Sequence, residues 1–420
     1  MDLRLRSLLI VLLLVLCPLP LAIAQNHATS GSNEDRRPNF DLMHLWLTDI
    51  EAPALDYLKE SVTAAGANWS EHHIEGNFYG IRSAFAQRLS IDAPPDGVFW
   101  IGGEELTSMV ETKIIRTITP DATTDNLSDI LKPEIIRIIS DGESYTSLPL
   151  VIHTQNIAII NQHIFNTLGI EPPKSWSDFI RKSEQIKSAG YIPLAMSEQR
   201  WQLRFLFVSI MSDGLDKQEF LELLLGARGD AWTKAKYVQA FQTLLALKQY
   251  TNGDYENLSW NNVLSHVREG NAAMTITGDF AAPALTNDPD IVCTMAPGSN
   301  FVSWSFDVLA FTYFAQPSMR AGQDIAIRAL STNNALRNFG LRKGGVPVVK
   351  DIKFDEVDRC SANSMKSWNE MEKVHLNSER WRLQLNSISS IAQAFWRADD
   401  PNPEEYASLL VTELQSIFSD

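Results

Sequence analysis

Two charged residues occupy positions where a protein places groups that contact a ligand. Asp307 interrupts an otherwise aromatic stretch at 304–311, and a carboxylate there is costly to bury without a hydrogen-bonding partner. Lys343 precedes Gly344 and Gly345, where the backbone can approach a bound molecule closely. Both positions therefore favour a binding role.

The familiar catalytic and metal-binding motifs do not occur in the sequence. It contains no GxSxG, HExxH, GxxxxGK[ST] or EF-hand loop, and no GxGxxG follows a predicted strand. His72 and His73 lie beside Glu75 without the i,i+4 spacing of a helical metal site, so we interpret them as a solvated turn. We expect neither a metal nor a cofactor.

Composition and charge narrow the class of protein. The chain has 420 residues, 45% of them hydrophobic, which is more than a domain with a single hydrophobic core usually contains. We therefore expect two lobes. The 36 basic residues face 51 acidic ones, a net charge of -15, which argues against binding to nucleic acids or through a basic surface to membranes.

The N-terminus carries the pattern of an export signal. Two arginines precede the apolar run 8–16, and two prolines and the small-residue sequence 22–24 follow it. The run is too short to anchor the chain in a bilayer of about 30 Å. We therefore predict a signal peptide over 1–24, cleavage before Gln25, and a soluble protein of the periplasm.

The three cysteines raise separate questions. Cys17 could carry a lipid, but Leu16 before it is not the small residue that a lipoprotein signal requires. Cys293 and Cys360 remain after cleavage, and in an oxidising compartment they are a candidate disulfide. The alternative is two separately buried thiols.

Hydrophobic periodicity predicts an α/β protein. Strand-like runs alternate with helical spacing early in the chain, and a helix-rich region follows. We expect a parallel sheet flanked by helices, with ligands near the carboxyl ends of its strands. The predicted strands are 40–47, 96–102, 147–160, 272–276 and 302–314, and the predicted helices are 51–65, 81–89, 161–168, 175–189, 201–212, 217–225, 234–250 and 260–269.

Five stretches of the sequence carry a family resemblance. Residues 161–179 resemble the "N...F...GI.PP.TW.EF" segment of bacterial extracellular solute-binding proteins that serve ABC sugar importers. Within that family, the chain resembles the glucose-binding branch most. Four further stretches occur in the same order as in that family: 44–51, 260–274, 278–281 and 342–351. The resemblance extends over the mature chain as separated islands.

This resemblance implies a two-lobed periplasmic-binding-protein clamp of type II. Each lobe would be a sheet flanked by helices, and the chain would cross the hinge more than once. The N-terminal lobe would comprise 25–150 and 305–350, and the helix-rich C-terminal lobe 151–304 and 351–420. The implied protein is a monomer that captures a small-molecule carbohydrate between its lobes and delivers it to an ABC permease.

Matching the family pattern residue by residue yields candidate ligand contacts. A sugar ring offers apolar faces to aromatic side chains and hydroxyl groups to charged ones, and the chain has eleven tryptophans. Each candidate also has a structural interpretation, such as a core tryptophan or a helix-terminal carboxylate. The candidates are Trp46, Glu51, Trp100, His153, Trp260, Phe280, Asp307 and Lys343.

Departures from the glucose-binding branch predict a different ligand. Asp49 and Ile50 replace a glycine pair, Phe280 replaces a tryptophan, and 385–391 contain no histidine. A ligand that is larger, more apolar or of another class would fit these changes. Arg200 and Arg204 flank Trp201 and could bind the carboxylate of a sugar acid, or they could form a solvated helix face.

Two other functions remain open at this level. The same fold could serve as a ligand sensor that docks on a membrane receptor or a sensor kinase. A secreted carbohydrate-active enzyme would need two carboxylates flanking a cleft, and Glu51 and Asp307 are the only pair that the sequence suggests.

Overall fold

The computed structural model describes residues 37–75, 78–119, 125–225, 231–376 and 379–417, without the side chains of 379 and 380. Residues from Pro38 onward form one compact unit. The predicted signal peptide and its cleavage site lie outside the described residues. The strands within those ranges are β1 (Asn39–His44), β2 (Asn68–His73), β3 (Gly97–Ile101), β4 (Ile115–Arg116), β5 (Leu148–Thr154), β6 (Ile157–Asn161), β7 (Ile192–Leu194), β8 (Ala272–Thr277), β9 (Ile291–Met295), β10 (Phe301–Thr312), β11 (Val346–Pro347) and β12 (Glu372–His375).

Helices cover both sheets and dominate the second half of the chain. They are α1 (Ala52–Ala64), α2 (Phe78–Ser90), α3 (Glu105–Glu111), α4 (Leu127–Ile130), α5 (Pro133–Ile139), α6 (Gln162–Leu168), α7 (Trp176–Ser188), α8 (Arg200–Met211), α9 (Lys217–Leu225), α10 (Ala231–Lys248), α11 (Trp260–Arg268), α12 (Ala321–Leu330), α13 (Asn333–Lys343), α14 (Arg359–Glu370), α15 (Glu379–Arg397) and α16 (Pro403–Ser416). Short 3₁₀ helices lie at Tyr255–Asn257, Asp279–Leu285, Pro317–Arg320 and Phe354–Glu356.

Local signals set the ends of several helices as the sequence predicted. The Ser175 hydroxyl accepts a hydrogen bond from the Asp178 amide at 3.2 Å and begins α7. Gly169 ends α6 with a φ of 64°, a conformation that glycine adopts without steric cost. These helices therefore begin and end where neighbouring residues dictate.

The strands form two separate sheets. The larger sheet has eight strands in the order β11-β5-β10-β3-β1-β2, with β4 and β12 also paired to β10, and the smaller has the order β7-β8-β6-β9. One hydrophobic core surrounds the larger sheet, and two further apolar clusters surround the smaller one. The predicted α/β architecture of two sheets flanked by helices is confirmed.

The larger sheet is mixed, whereas we expected a parallel one. Strands β1, β2 and β3 run parallel, but β10 lies antiparallel to β3 and β5. The physical reason is that β10 enters the larger sheet directly from the smaller sheet, whereas parallel neighbours need a crossover connection. All twelve residues of β10 are buried, so this strand forms the centre of the molecule.

The chain passes between the sheets more than once, as predicted. The strand-like run 147–160 is in fact two strands, β5 in the larger sheet and β6 in the smaller one, separated by Gln155 and Asn156. The chain returns between β9 and β10. Asn156 joins the two crossings, because its side chain donates to the Phe301 carbonyl at 2.9 Å and accepts from the Ser303 amide at 3.0 Å. Which residues move together in each lobe stays a prediction.

Two expectations about particular residues are decided by the structure. His72 and His73 end strand β2 and do not form a turn, and His72 Nε2 lies 3.2 Å from the Asp41 carboxylate. Periodicity missed this strand because none of its residues is fully buried. Cys293 of β9 and Cys360 of α14 form a disulfide with Cα atoms 5.2 Å apart, which confirms the predicted pair.

Candidate functional site

A cluster of polar and aromatic side chains links elements of the two sheets beside the first crossing. We call it the inter-sheet cluster. The larger sheet and its helices contribute the charged groups, and the smaller sheet and its helices contribute the aromatic rings and one carboxylate. Its members are Glu51, His153, Asp307 and Lys343 on one side and Trp201, Trp260, Asp279 and Phe280 on the other.

His153 is the centre of the charged part. Its Nδ1 lies 3.0 Å from Oδ1 of Asp279, and its Nε2 lies 3.3 Å from Oδ2 of Asp307. Asp307 lies at an irregularity in β10, where the register with β5 shifts between Asp307 and Val308. Such irregularities change the direction of the side chain beside them. Asp279 also accepts a hydrogen bond from the Thr154 amide at 3.1 Å.

Burial and charge act on His153 in opposite directions. Burial by itself lowers the pKa of His153, but the Asp307 charge and the hydrogen bonds with both carboxylates outweigh it and raise the pKa above its ordinary value. Both ring nitrogens then donate. The result is an imidazolium between two carboxylates.

Phe280 organises the aromatic part of the cluster. Its ring centroid lies 5.2 Å from that of Trp260, 5.8 Å from Trp201 and 5.6 Å from His153, each in an edge-to-face arrangement. Such arrangements are favourable for aromatic pairs. Phe280 and both tryptophans remain only partly buried, so part of their surface is available to another molecule.

Lys343 joins the charged and aromatic parts. Its Nζ lies 3.5 Å from Oε1 of Glu51 and 5.8 Å from the centroid of the Phe280 ring. Glu51 also accepts a hydrogen bond from the Thr48 hydroxyl at 2.9 Å. Lys343 ends α13, and Gly344 follows with a φ of 79°, a conformation in which a side chain would be strained.

Six of the eight residues singled out from the sequence meet in this cluster; the other two lie elsewhere. Trp46 is 4% exposed and packs against Phe99, with ring centroids 5.2 Å apart. Trp100 is 3% exposed and packs against Phe78, with ring centroids 4.9 Å apart. Both rings lie in the core of the larger sheet. A direct ligand contact for any of the eight stays a prediction.

An open cleft adjoins the cluster at Trp201. The space between its walls, including its opening to solvent, is about 800 Å³. Helices α2 and α3 border it on one side, and α8 and α15 border it on the other. Its aromatic lining residues are Phe78, Tyr79 and Trp201, and its charged ones are Arg82, Glu105, Arg200, Arg204 and Arg382.

Sequence reasoning identified only part of this cleft. The spacing of Arg200 and Arg204 around Trp201 was recognised, because all three lie within two turns of α8. Arg82 and Arg382 were missed, since nothing in their neighbourhoods indicates that α2 and α15 face α8 across the same space. That information resides in the packing of the helices.

Comparison with known sequences decides the family. The family described as bacterial extracellular solute-binding proteins matches residues 75–299, more than half of the chain. The chain belongs to that family. Relatives of this solute-binding protein include "probable sugar-binding periplasmic proteins" of Brucella melitensis, 23% identical over 80% of each chain, and of Rhizobium meliloti, 24% identical over 78% of this chain and 80% of the relative.

Solved structures share its fold. A chitin oligosaccharide binding protein matches this solute-binding protein with a TM-score of 0.71 at 16% identity, covering 91% of this chain and 98% of the other. A sugar transporter protein from Bacillus licheniformis in complex with stachyose matches with a TM-score of 0.68 at 13% identity, covering 89% and 98%. These similarities extend over nearly the whole length of each neighbour.

Two further properties concern only the residues that the structure describes. None of the helices there is both long and apolar enough to cross a bilayer. Within the same ranges, no three His, Cys, Asp or Glu side chains of this solute-binding protein come together as a metal site.

Proposed function

We propose that this protein captures a carbohydrate in the cleft between its lobes and delivers it to an ABC importer. The observation that carries the proposal is the inter-sheet cluster beside an open cleft. Its partly buried rings of Trp201, Trp260 and Phe280 suit the apolar faces of a sugar, and nearby charged groups suit its hydroxyls. The names of the relatives, "sugar-binding periplasmic protein", support the same ligand class.

The proposed mechanism is capture by closure. The two sides of the cleft come from different lobes, so a ligand that contacts both stabilises the closed arrangement by its differential affinity. The crossings at 155–156 and 296–300 are the segments available to act as a hinge. A membrane permease or receptor would then recognise the closed form.

Catalysis has no part in this proposal. A glycosidase needs one carboxylate as acid and another as base or nucleophile. Glu51 is engaged by Lys343 and Thr48, and Asp307 is engaged by His153. These contacts suit carboxylates that orient hydroxyl groups. We further propose a monomer in the periplasm, released by cleavage before Gln25; N-terminal sequencing of the exported protein tests the cleavage site.

The test is calorimetric titration of ligand-stripped protein with mono- to tetrasaccharides. Binding that weakens at least about tenfold in Phe280→Ala, through loss of an aromatic platform, supports the proposal. Phe354→Ala is the matched control, because that ring is 50% exposed and belongs neither to the inter-sheet cluster nor to the lining of the cleft. A folded, stripped protein that binds no saccharide contradicts the carbohydrate assignment.

A further inference from the structure

The charge of the cleft opposes the charge of the chain. Four arginines line it, together with a single carboxylate, Glu105, although the whole sequence carries a net charge of -15. Glu105 is already engaged, because it pairs with Arg82 and accepts from Trp100 Nε1 at 3.3 Å. The remaining three guanidinium groups therefore create a positive field inside an acidic protein.

Arg204 is the least compensated of these groups. Within the ranges that the structure describes, its guanidinium makes no hydrogen bond or ion pair, and its carbon atom lies over the Phe205 ring, 5.3 Å from the centroid. Burial lowers the pKa of Arg204 to about 10; the neighbouring Tyr79 opposes this shift, and the charge of Arg200 adds to it. The group still carries its charge at neutral pH. Folding thus places a partly buried cation beside the cleft without supplying its anion.

The neighbouring arginine offers no compensation. Arg200 precedes Arg204 by one turn of α8, and like charges at that spacing repel each other. Arg200 donates to the Asn386 carbonyl at 2.9 Å and to the Ser390 hydroxyl, and it lies over the Tyr79 ring. All three partners are uncharged, so the contacts position Arg200 while its charge remains.

Arg204 also lines a second, narrower space. It is lined also by Gln155 and Ser303, whose Oε1 and Oγ atoms are buried without hydrogen-bond partners in the structure. Neutral acceptors satisfy donors and leave the net charge unchanged, so the charge acts on whatever occupies the cleft.

We infer that the cleft selects a saccharide that carries an anionic group, with Arg204 holding the anion and Arg200 and Arg382 adding to the field. This inference rests on the proposed carbohydrate function. The planar guanidinium group can donate two parallel hydrogen bonds to a carboxylate, and its positive charge also suits a sulfate or phosphate ester. Phe78 and Trp201 border the same space and supply faces for the sugar ring. The planar match favours a uronic acid.

The experiment compares matched ligands on the intact mature protein. Uronic acid mono- to trisaccharides are titrated by calorimetry against the parent neutral saccharides, in which C6 is a hydroxymethyl group and not a carboxylate, with sulfated and phosphorylated sugars as further arms. We expect the acid to bind roughly 10–100-fold more tightly than its neutral counterpart, the range that charge-assisted hydrogen bonds confer. Arg204→Met should remove that preference, so that the acid and its neutral counterpart bind the variant with similar affinity. Arg181→Gln, whose side chain is 69% exposed on α7, is the matched control and should change neither affinity.

Each outcome decides a separate point. Equal or tighter binding of the neutral member overturns the inference and leaves the carbohydrate proposal intact, whereas no saccharide binding at all removes both. Tighter binding of only the sulfated or phosphorylated sugars supports the inference and identifies the anionic group. Equal weakening of both members in Arg204→Met contradicts the assignment of the anion to Arg204. The wild-type comparison decides the ligand class even if a variant fails to fold.

Discussion

Replacing His153 with leucine tests the charged part of the inter-sheet cluster most directly. Asp279 and Asp307 are only 3% and 7% exposed, and both lose their imidazole partner, held at 3.0 and 3.3 Å. Breaking a buried ion pair by removing one partner costs about 3–5 kcal/mol, because the remaining charge is left uncompensated. We expect a loss of that size from a total stability of roughly 5–15 kcal/mol.

The same contacts predict a dependence of stability on pH. The pKa of His153 is raised in the folded protein, so between the unfolded value of about 6.5 and the raised folded value the native state holds more protons than the unfolded one. The stability contributed by His153 is therefore fully present below about pH 6.5. It declines as the pH rises through the folded pKa, by up to about 1.4 kcal/mol per pH unit.

Urea denaturation followed by circular dichroism at pH 6, 7, 8 and 9 measures both effects. The wild-type minus His153→Leu difference should be largest at pH 6 and should shrink towards pH 9. His163→Leu is the matched control, because that histidine is exposed on α6 and should shift stability by less than about 0.5 kcal/mol. A His153→Leu protein within 1 kcal/mol of wild type at pH 6, or a difference that grows with pH, would refute the assignment of an imidazolium between two carboxylates.

Three further predictions concern the disulfide, the turn beside the cluster and the cleft. Replacing both Cys293 and Cys360 with serine removes a cross-link between residues 67 positions apart. The free energy of unfolding should fall by about 4 kcal/mol on the chain-entropy model, and an unchanged urea midpoint would contradict this. Gly345→Ala should cost 1–3 kcal/mol more than Gly190→Ala by the same assay, because its added Cβ would lie 2.6–3.0 Å from three neighbouring atoms, whereas Gly190 has none within 4 Å. Arg204→Met should raise the stability of the ligand-free protein by about 0.5–2 kcal/mol, because a partly buried charge without an ionic partner disappears; a lower melting temperature would argue that Arg204 has a structural role.

Much of the secondary structure follows from local sequence. The helix beginning after Ser175 and the one ending at Gly169 were predicted from single residues whose chemistry acts on their own neighbours. Edge strand β2 escaped prediction because it has no buried alternation. The division of 147–160 into β5 and β6 also escaped, because both strands are buried throughout and a continuous apolar run does not reveal a change of sheet.

The sequence by itself determined the types of the groups in the candidate site, and the tertiary structure alone decided their grouping. Family resemblance pointed to Glu51, His153 and Lys343, but only the pairing of β5 with β10 and the end of α13 bring their side chains together. The same reasoning placed Trp46 among the candidates, whereas packing encloses it in the core of the larger sheet. Helix and strand propensities are set by residues a few positions apart, whereas the cleft lies between helices such as α2, α8 and α15, which are more than a hundred residues apart in the chain. Arg82, Arg204 and Arg382 therefore share one space for a reason that no stretch of the chain records.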